Sequence, residues 1–289
     1  MIEKVILGTA QLGLDYGINN YGKLNTKESF RILDYAFDNK IKFLDTAESY
    51  GNVIELLASF FKQNPGKSFR IFSKLDLKDP KTIKDTKSHI KSVLARMNIE
   101  TIHGYMIHNY SELKKFPEVF NNLIELKKSG LINNVGVSLY KKEEMEDVIS
   151  NYEVDFIQIP FNLLDNHYEK EDIFKKINNK GVEVHARSIF LQGLFFKPYD
   201  KYSNQLKPLI KYMKVIDKII KESNSNIETL AINYPLKKDY IDKVIFGVHN
   251  LNQFSKNIKI INSRHELNLN KIDLINVEEK ELLMPYNWK

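Results

Sequence analysis

Short β-rich runs alternate with longer amphipathic stretches along the whole chain, and this alternation is the strongest constraint on its fold. The stretches between the runs carry apolar residues at helical spacing, as in TKESFRILDYAFDNK (26–40). Such alternation implies parallel strands joined by crossover helices. The eight runs are KVILG (4–8), KFLD (42–45), RIFSK (70–74), GYMIH (104–108), NVGVS (134–138), DFIQI (155–159), VEVHAR (182–187) and KVIF (243–246).

Eight strand–helix units within 289 residues predict a (β/α)8 barrel. Further helices are predicted at TIKDTKSHIKSVLARMN (82–98) and FPEVFNNLIELKKSG (116–130). No linker-like tract or internal repeat divides the chain, so residues 1–289 are predicted to form a single domain. A doubly wound open sheet is the alternative, but the first β–α junction lacks the G-x-G-x-x-G typical of dinucleotide-binding sheets.

Six of the runs carry a polar residue at or next to their carboxyl end. In a barrel, chemistry belongs to inward-facing side chains at those ends, and alternation along each strand predicts which residues face inward. In the seventh run Glu183 and His185 share the face of Arg187, so they are expected inside as well. The predicted inward ends are Asp45, Lys74, His108, Ser138, Gln158 and Arg187.

Charge and composition exclude several other classes of protein. The formal net charge is +6 and the pI about 9.0, but the lysines are spread along helices and mixed with glutamate, as in KKEEMED. A solvated surface explains them better than a nucleic-acid footprint, which clusters its charge. No secretory signal opens the chain and no apolar run is long enough to span a membrane, so we expect a cytoplasmic protein.

Metal binding is not predicted. Cysteine is absent from the sequence, which removes thiolate sites and disulfides. His103 and His108, five residues apart on one strand, are expected to face opposite ways. The remaining candidates, His167, His249 and His265, show no ligand spacing.

Four short motifs resemble the aldo/keto reductase family. They are DTAESYG (45–51), the lysine that closes IFSK (71–74), the histidine of MIHN (106–109) and the GVS that ends the fifth run. The resemblance extends from LGTAQLG (7–13) to GVHNLNQFSKN (247–257). It implies NAD(P)H-dependent reduction of a carbonyl compound, and it places the catalytic tetrad of the family on Asp45, Tyr50, Lys74 and His108.

These residue types suit the roles that the resemblance implies. Hydride reduction of a carbonyl leaves an alkoxide that needs a proton, and a tyrosine with a pKa near 10 stays protonated to supply it. A lysine ammonium favours phenolate, so we expect Lys74 to lower the pKa of Tyr50. Asp45 is expected to hold Lys74 charged, and His108 to orient the carbonyl oxygen. A structural salt bridge and an ordinary phenol are the alternatives for these residues taken singly.

The resemblance also implies a nicotinamide cofactor across the barrel top. It places carboxamide contacts on Ser138 and Gln158, with Leu139 where the family usually has asparagine. Arg187 stands where many relatives stack a tyrosine on the nicotinamide; a buried pair with Glu183 is its alternative role. The other expected cofactor contacts are Thr9, Asp45, Gly247, His249, Gln253 and Asn257.

The resemblance favours NADP(H) as the cofactor, and NAD(H) remains the alternative. The lysine–serine pair and the arginine that many relatives use for the 2′-phosphate align with Gly247, Val248 and Gln253. Lys256 and His249 are candidate substitutes.

Inward-facing Glu183, His185 and Arg187 predict a polar pocket, and hence a small polar carbonyl substrate such as an oxidised sugar or a keto acid. Tyr16 and Tyr21, in the loop 9–26, are expected either to line this pocket or to pack the loop onto the barrel. The chain enters its first strand almost at once, without the hairpin that many relatives place on the barrel floor. Trp288 is expected to dock the C-terminal tail rather than to cover the pocket.

A regulatory barrel that binds the cofactor but turns over little is the alternative function. A barrel lyase or glycosidase would need paired carboxylates or a metal at the mouth, and the sequence shows neither. The oligomeric state is left open.

Overall fold

The computed structural model of the chain describes residues 1–19, 22–166 and 170–288. Its strands are β1 (Val5–Gly8), β2 (Phe43–Asp45), β3 (Arg70–Leu75), β4 (Ile102–Ile107), β5 (Ile132–Ser138), β6 (Phe156–Pro160), β7 (Glu183–Arg187) and β8 (Lys243–Phe246). The helices are α1 (Ala10–Gly13), α2 (Thr26–Asp38), α3 (Val53–Gln63), α4 (Pro80–Lys84), α5 (Thr86–Met97), α6 (Tyr110–Lys115), α7 (Pro117–Lys128), α8 (Lys142–Asn151), α9 (Glu171–Asn179), α10 (Ile210–Glu222), α11 (Ile227–Leu236), α12 (Leu251–Asn262) and α13 (Asn270–Asp273).

The strands close into a parallel barrel in the order β1 to β8, which confirms the predicted (β/α)8 fold. β1 pairs with both β2 and β8, and Gly8 lies opposite Asp45 in register. Because all strands are parallel, their carboxyl ends meet at one rim, the barrel mouth.

The predicted elements lie within two residues of the observed ones, with one informative exception. The single helix expected over 82–98 is two helices, α4 and α5, that break at Asp85. The carboxylate of Asp85 accepts a hydrogen bond from the N–H of Ser88 and so caps α5. The helix expected over 116–130 ends as predicted near Gly130, whose φ is +78°.

A cluster of buried side chains fills the inside of the barrel. Glycines on two strands make room for its large rings: a Cβ on Gly104 would lie 2.3 Å from the Phe72 ring, and one on Gly136 would lie 2.6 Å from the Phe156 ring. The next inward positions along these strands are the polar ends at the mouth. The members of the cluster are Ile6, Phe43, Phe72, Met106, Phe156 and Ile245.

The barrel floor is covered by side chains from the first residues of the strands. The Arg70 guanidinium carbon and the Lys243 Nζ lie 5.8 Å and 5.2 Å from the centroid of the Phe43 ring. Ahead of β1, the described residues form a 3₁₀ turn, Ile2–Lys4, and no strand. Within the described residues, side chains of the strands themselves therefore cover the floor.

Among the residues described, no helix has the length and apolar character that a bilayer crossing requires.

Candidate active site

A cavity of about 550 Å³ opens at the barrel mouth. It brings together every predicted catalytic and cofactor-binding residue; the roles assigned to these residues stay predictions. The predicted residues that line it are Thr9, Asp45, Tyr50, Lys74, His108, Ser138, Gln158, Arg187, Gly247, His249, Gln253 and Asn257.

Asp45 and Lys74 form a buried ion pair at the bottom of this cavity. Lys74 Nζ lies 2.6 Å from Asp45 Oδ2 and also donates to the carbonyl oxygen of Thr46 over 3.0 Å. The two side chains are 6% and 2% exposed. Burial lowers the pKa of Lys74, and the Asp45 carboxylate works against that shift. Asp45 thus holds the Lys74 ammonium in place.

Gln158 shares the same carboxylate and offers a free acceptor. Its Nε2 donates to Asp45 Oδ1 over 2.7 Å. Its Oε1 is buried and has no hydrogen-bond partner among the described residues. A buried acceptor without a partner is costly, so this oxygen suits a ligand that brings an N–H donor, such as a carboxamide. Thr9 supports Asp45 from the other side, because its hydroxyl donates to the Asp45 carbonyl oxygen over 3.0 Å.

Tyr50 lies on the loop after β2, beside the ion pair. Lys74 Nζ is 5.2 Å from the centroid of the Tyr50 ring. Burial raises the pKa of the Tyr50 phenol well above its ordinary value, and the Asp45 carboxylate raises it further. The net shift is therefore opposite to the lowering expected from Lys74, because burial and the Asp45 carboxylate outweigh the positive charges nearby. The positive charge of Arg187 acts against this rise.

His108 follows β4 directly, with its ring centroid 6.4 Å from that of Tyr50. Burial lowers the pKa of His108 to about 3, and the charges of Lys74 and Arg187 act in the same direction. The imidazole is neutral at physiological pH, and so it can donate one N–H without carrying a charge.

Arg187 ends β7 and faces the cavity. Its guanidinium carbon lies 4.3 Å from the centroid of the Tyr140 ring, and its Nη2 donates to the Leu139 carbonyl oxygen over 3.4 Å. The alternative pairing of Arg187 with Glu183 is wrong, since Glu183 Oε2 lies 2.9 Å from Nε2 of His185 instead.

Glu183 and His185 also do not line the cavity, contrary to the prediction. A strand rises about 3.3 Å per residue, so both side chains lie deeper in the barrel than Arg187. The His185 ring is packed against Phe72 and Phe156, with both centroid distances 4.9 Å. The charge at this end of the cavity is therefore that of Arg187 and not of a polar cluster.

Several cavity residues were not predicted from the sequence, among them Tyr140, Gln11 and Glu228. Tyr140 lies two positions beyond Ser138, so strand alternation could have identified it. Gln11 fills the space beside Gly247, where a Cβ would lie 2.0 Å from Gln11 Oε1. Glu228 comes from the first turn of α11, away from any strand end, and no local pattern points to it.

The loop after β1 crosses the mouth and is tied to the far side. The Ile18 N–H donates to the Gln192 carbonyl oxygen over 3.1 Å. His249 Nε2 lies 2.9 Å from the Tyr16 carbonyl oxygen. Tyr16 lines the cavity, which was the first of the two roles predicted for it. Burial raises the pKa of Tyr16 to about 12. Tyr21, for which the same roles were predicted, lies outside the described residues.

Glu48, inside the DTAESYG motif, anchors the loop that carries Tyr50. Its N–H donates to the Lys74 carbonyl oxygen over 3.1 Å. Its carboxylate accepts a hydrogen bond from the hydroxyl of Tyr105 and lies 2.7 Å from Nε2 of His89. Tyr105 is fully buried, and a buried tyrosine usually hydrogen-bonds through its hydroxyl, so the contact with Glu48 satisfies that group.

Trp288 packs against the hydrophobic core, as expected of a residue that docks the C-terminal tail, and its Nε1 donates to the Leu282 carbonyl oxygen within that tail over 2.9 Å. The expectation that His103 and His108 face opposite ways is wrong. The His103 ring turns in over the floor, 5.0 Å from the Phe72 ring, while His108 faces the mouth. Among the described residues no three His, Asp or Glu side chains group as metal ligands, and the absence of a metal stays a prediction.

Comparison with known proteins gives one consistent family. The sequence model of the aldo/keto reductase family matches residues 4–276. The L-glyceraldehyde 3-phosphate reductase of Escherichia coli (strain K12) is 22% identical, over 85% of this chain and 82% of the relative. The uncharacterized oxidoreductase YqkF of Bacillus subtilis (strain 168) is 24% identical, over 91% and 92%.

A solved structure has the same fold. The aldo-keto reductase AKR11C1 from Bacillus halodurans, in its holo form, superposes with a TM-score of 0.74. It is 20% identical in sequence, and the match covers 96% of this chain and 94% of that one.

Proposed function

The chain belongs to the aldo/keto reductase family, and we propose that it is an NAD(P)H-dependent reductase that converts a carbonyl compound to an alcohol, with Tyr50 as proton donor. As a family member it is an oxidoreductase that acts on carbonyl compounds. One observation carries the finer proposal. A protonated phenol, a buried Asp45–Lys74 pair and a neutral His108 meet in one cavity that also offers an unpaired amide oxygen.

Bound NAD(P)H would supply the hydride for the carbonyl carbon. Gln158 Oε1 is suited to accept from the carboxamide, and Ser138 pairs in register with Gln158 at the neighbouring strand end. Leu139 is fully buried in the outer layer, so it offers no substitute for the asparagine usual there. We assign the other contacts to the predicted lining residues, namely Thr9, Asp45, Arg187, Gly247, His249, Gln253 and Asn257.

The proton moves within a buried, charged environment. Tyr50 keeps its proton until the substrate oxygen gains charge, and it then donates its O–H to that oxygen. The neutral His108 donates an N–H to the same oxygen and orients it. Lys74, fixed by Asp45, places a positive charge beside the phenol ring as phenolate forms. Burial strengthens each of these interactions.

NADPH remains the proposed cofactor, with NADH open. Lys256 on α12 lines the cavity and carries the positive charge that a 2′-phosphate needs. Glu228 on the adjoining α11 also lines it, and a carboxylate suits a ribose hydroxyl better than a phosphate. Both reduced cofactors therefore belong in the test below.

The proposed substrate is a small polar carbonyl compound, such as an oxidised sugar or a keto acid. Arg187 at the reacting end of the cavity supports this, although Glu183 and His185 do not. A relative at 22% identity is named for reducing L-glyceraldehyde 3-phosphate, a small polar aldehyde. No observation on the described residues favours the alternative of a regulatory barrel with little turnover.

A single-turnover experiment tests the proposal. The protein is loaded with NADPH or NADH, mixed rapidly with a panel of small neutral and anionic carbonyls, and followed by cofactor absorbance. We expect bound cofactor to be oxidised by at least one of these carbonyls. A protein that binds the cofactor tightly but leaves it reduced with every carbonyl would be a regulatory barrel and not a reductase.

A further inference from the structure

Arg187 is a cation in the cavity whose hydrogen-bonding capacity is largely unused. A guanidinium carries five N–H donors. Its contacts within the described residues are long: Nη1 to Ser188 Oγ at 3.5 Å and Nη2 to the Leu139 carbonyl oxygen at 3.4 Å. Neither partner is charged, so the arginine lacks a counterion there.

The carboxylates that could neutralise Arg187 are engaged elsewhere. Asp45 holds Lys74 and Gln158, and Glu183 holds His185 at the floor. No described carboxylate forms an ion pair with Arg187. Leaving a partly buried charge unpaired is unfavourable, and a bound anion would remove that cost.

Arg187 is also held in a fixed place by Tyr140. The guanidinium carbon lies 4.3 Å from the ring centroid of Tyr140, which is a stacking distance. Stacking uses the face of the guanidinium and leaves the N–H groups at its edge for a ligand. The Tyr140 ring is itself braced by Tyr286 of the C-terminal tail, 4.9 Å away between centroids. The arginine is thus preorganised before any ligand arrives.

The charge of Arg187 acts at the reacting end of the cavity. It lowers the pKa of Tyr50, of His108 and of Lys74, the groups that surround the proposed carbonyl position. An anion bound by Arg187 would therefore lie beside the carbonyl that is reduced.

We propose that Arg187, stacked on Tyr140, binds a carboxylate or phosphate group of the carbonyl substrate, so that the enzyme selects anionic carbonyl compounds. The inference rests on the proposed reductase function and narrows its substrate class. The fork geometry of a guanidinium matches two oxygens of such a group. The pyrophosphate of the cofactor offers the same oxyanion chemistry, and the experiment separates the two sources.

The test compares two aldehydes of similar shape, para-carboxybenzaldehyde and the uncharged para-nitrobenzaldehyde, in wild type and in Arg187→Gln. We expect Arg187→Gln to raise KM for the carboxylated aldehyde by about 10- to 100-fold, the loss of one charge-assisted contact. Any effect of Arg187 on the cofactor or on Tyr50 would act on both aldehydes alike, so the ratio of the KM for the carboxylated aldehyde to that for the neutral one should rise by about 10- to 100-fold. The Kd of NADPH is measured in parallel. Arg187→Lys, which keeps the charge without the fork, should recover part of the loss.

A binding measurement keeps this proposal separable from the reductase function. Calorimetric titration with para-hydroxymethylbenzoate, which cannot be reduced, should give a Kd that weakens about 10- to 100-fold in Arg187→Gln. That result would support the anion site even if no carbonyl were turned over. Equal KM changes for both aldehydes together with weaker NADPH binding would assign Arg187 to the cofactor and overturn the proposal. Unchanged carboxylate binding in a folded Arg187→Gln variant would overturn it as well.

Discussion

At the scale of single residues, the chemistry of the site depends on how its buried charges are paired: Lys74 Nζ lies 2.6 Å from Asp45 Oδ2, and both side chains are almost fully buried. Strand alternation and four motifs sufficed to bring Asp45, Lys74, His108 and Tyr50 together. They did not reveal that burial and the Asp45 carboxylate together raise the pKa of Tyr50 although Lys74 and Arg187 are close to it. Charge balance depends on distances and burial, which residue spacing does not encode.

The ion pair gives a prediction on stability. Asp45→Asn or Lys74→Met alone leaves a buried charge without its partner and should lower the free energy of unfolding by about 3–5 kcal/mol. The double variant leaves no such charge, so its loss should be clearly smaller than the sum of the two. Urea unfolding of the four proteins measures this. Additive losses would mean that the two side chains do not stabilise each other.

At the scale of elements, the eight strands could be predicted within two residues because barrel strands are short apolar runs bounded by polar residues. The helix break at Asp85 could not be predicted, because an aspartate that caps a second helix looks, in the sequence alone, like an ordinary residue inside one longer helix. The contacts that anchor the loop bearing Tyr50 were not predicted from the sequence either. Glu48 fixes this loop to Tyr105 and His89, two residues that lie outside the predicted site.

This anchor should make stability depend on pH. The bond to Glu48 raises the pKa of His89 above its unfolded value, while burial and the charge of Arg96 oppose the shift and Asp79 adds to it. The stabilisation is then fully present below the unfolded pKa of about 6.5, and it is lost as pH rises through the higher folded pKa. We expect His89→Gln to destabilise the protein more at about pH 5.5 than at about pH 8.5.

Chemical unfolding at the two pH values measures this difference. His265→Gln is the matched control, since its ring lies against the Ile260 carbonyl oxygen, 3.1 Å away, and not against a carboxylate. An equal loss for His89→Gln at both pH values would show that the Glu48–His89 contact does not depend on the histidine charge.

At the scale of the whole molecule, the barrel explains why residues from distant parts of the sequence form one site. Parallel strands bring every carboxyl end to one rim, so the six side chains predicted from the strand ends all line one cavity. Contributions from outside the strand ends escaped prediction, as with Glu228 on a helix and Gln11 in the first loop. The single domain over 1–289 and the cytoplasmic location stay predictions.

The proton donor is the central claim, and Tyr50→Phe tests it most directly. The change removes one hydroxyl and keeps the ring, so the Kd of NADPH, followed by cofactor fluorescence, should stay nearly unchanged. Reduction of the carbonyl should fall by about 10²–10⁴-fold, the usual contribution of a general acid. Tyr152→Phe, whose ring packs on Phe120 outside the barrel, is the matched control and should keep full activity. Activity of Tyr50→Phe within a few-fold of wild type would contradict the account.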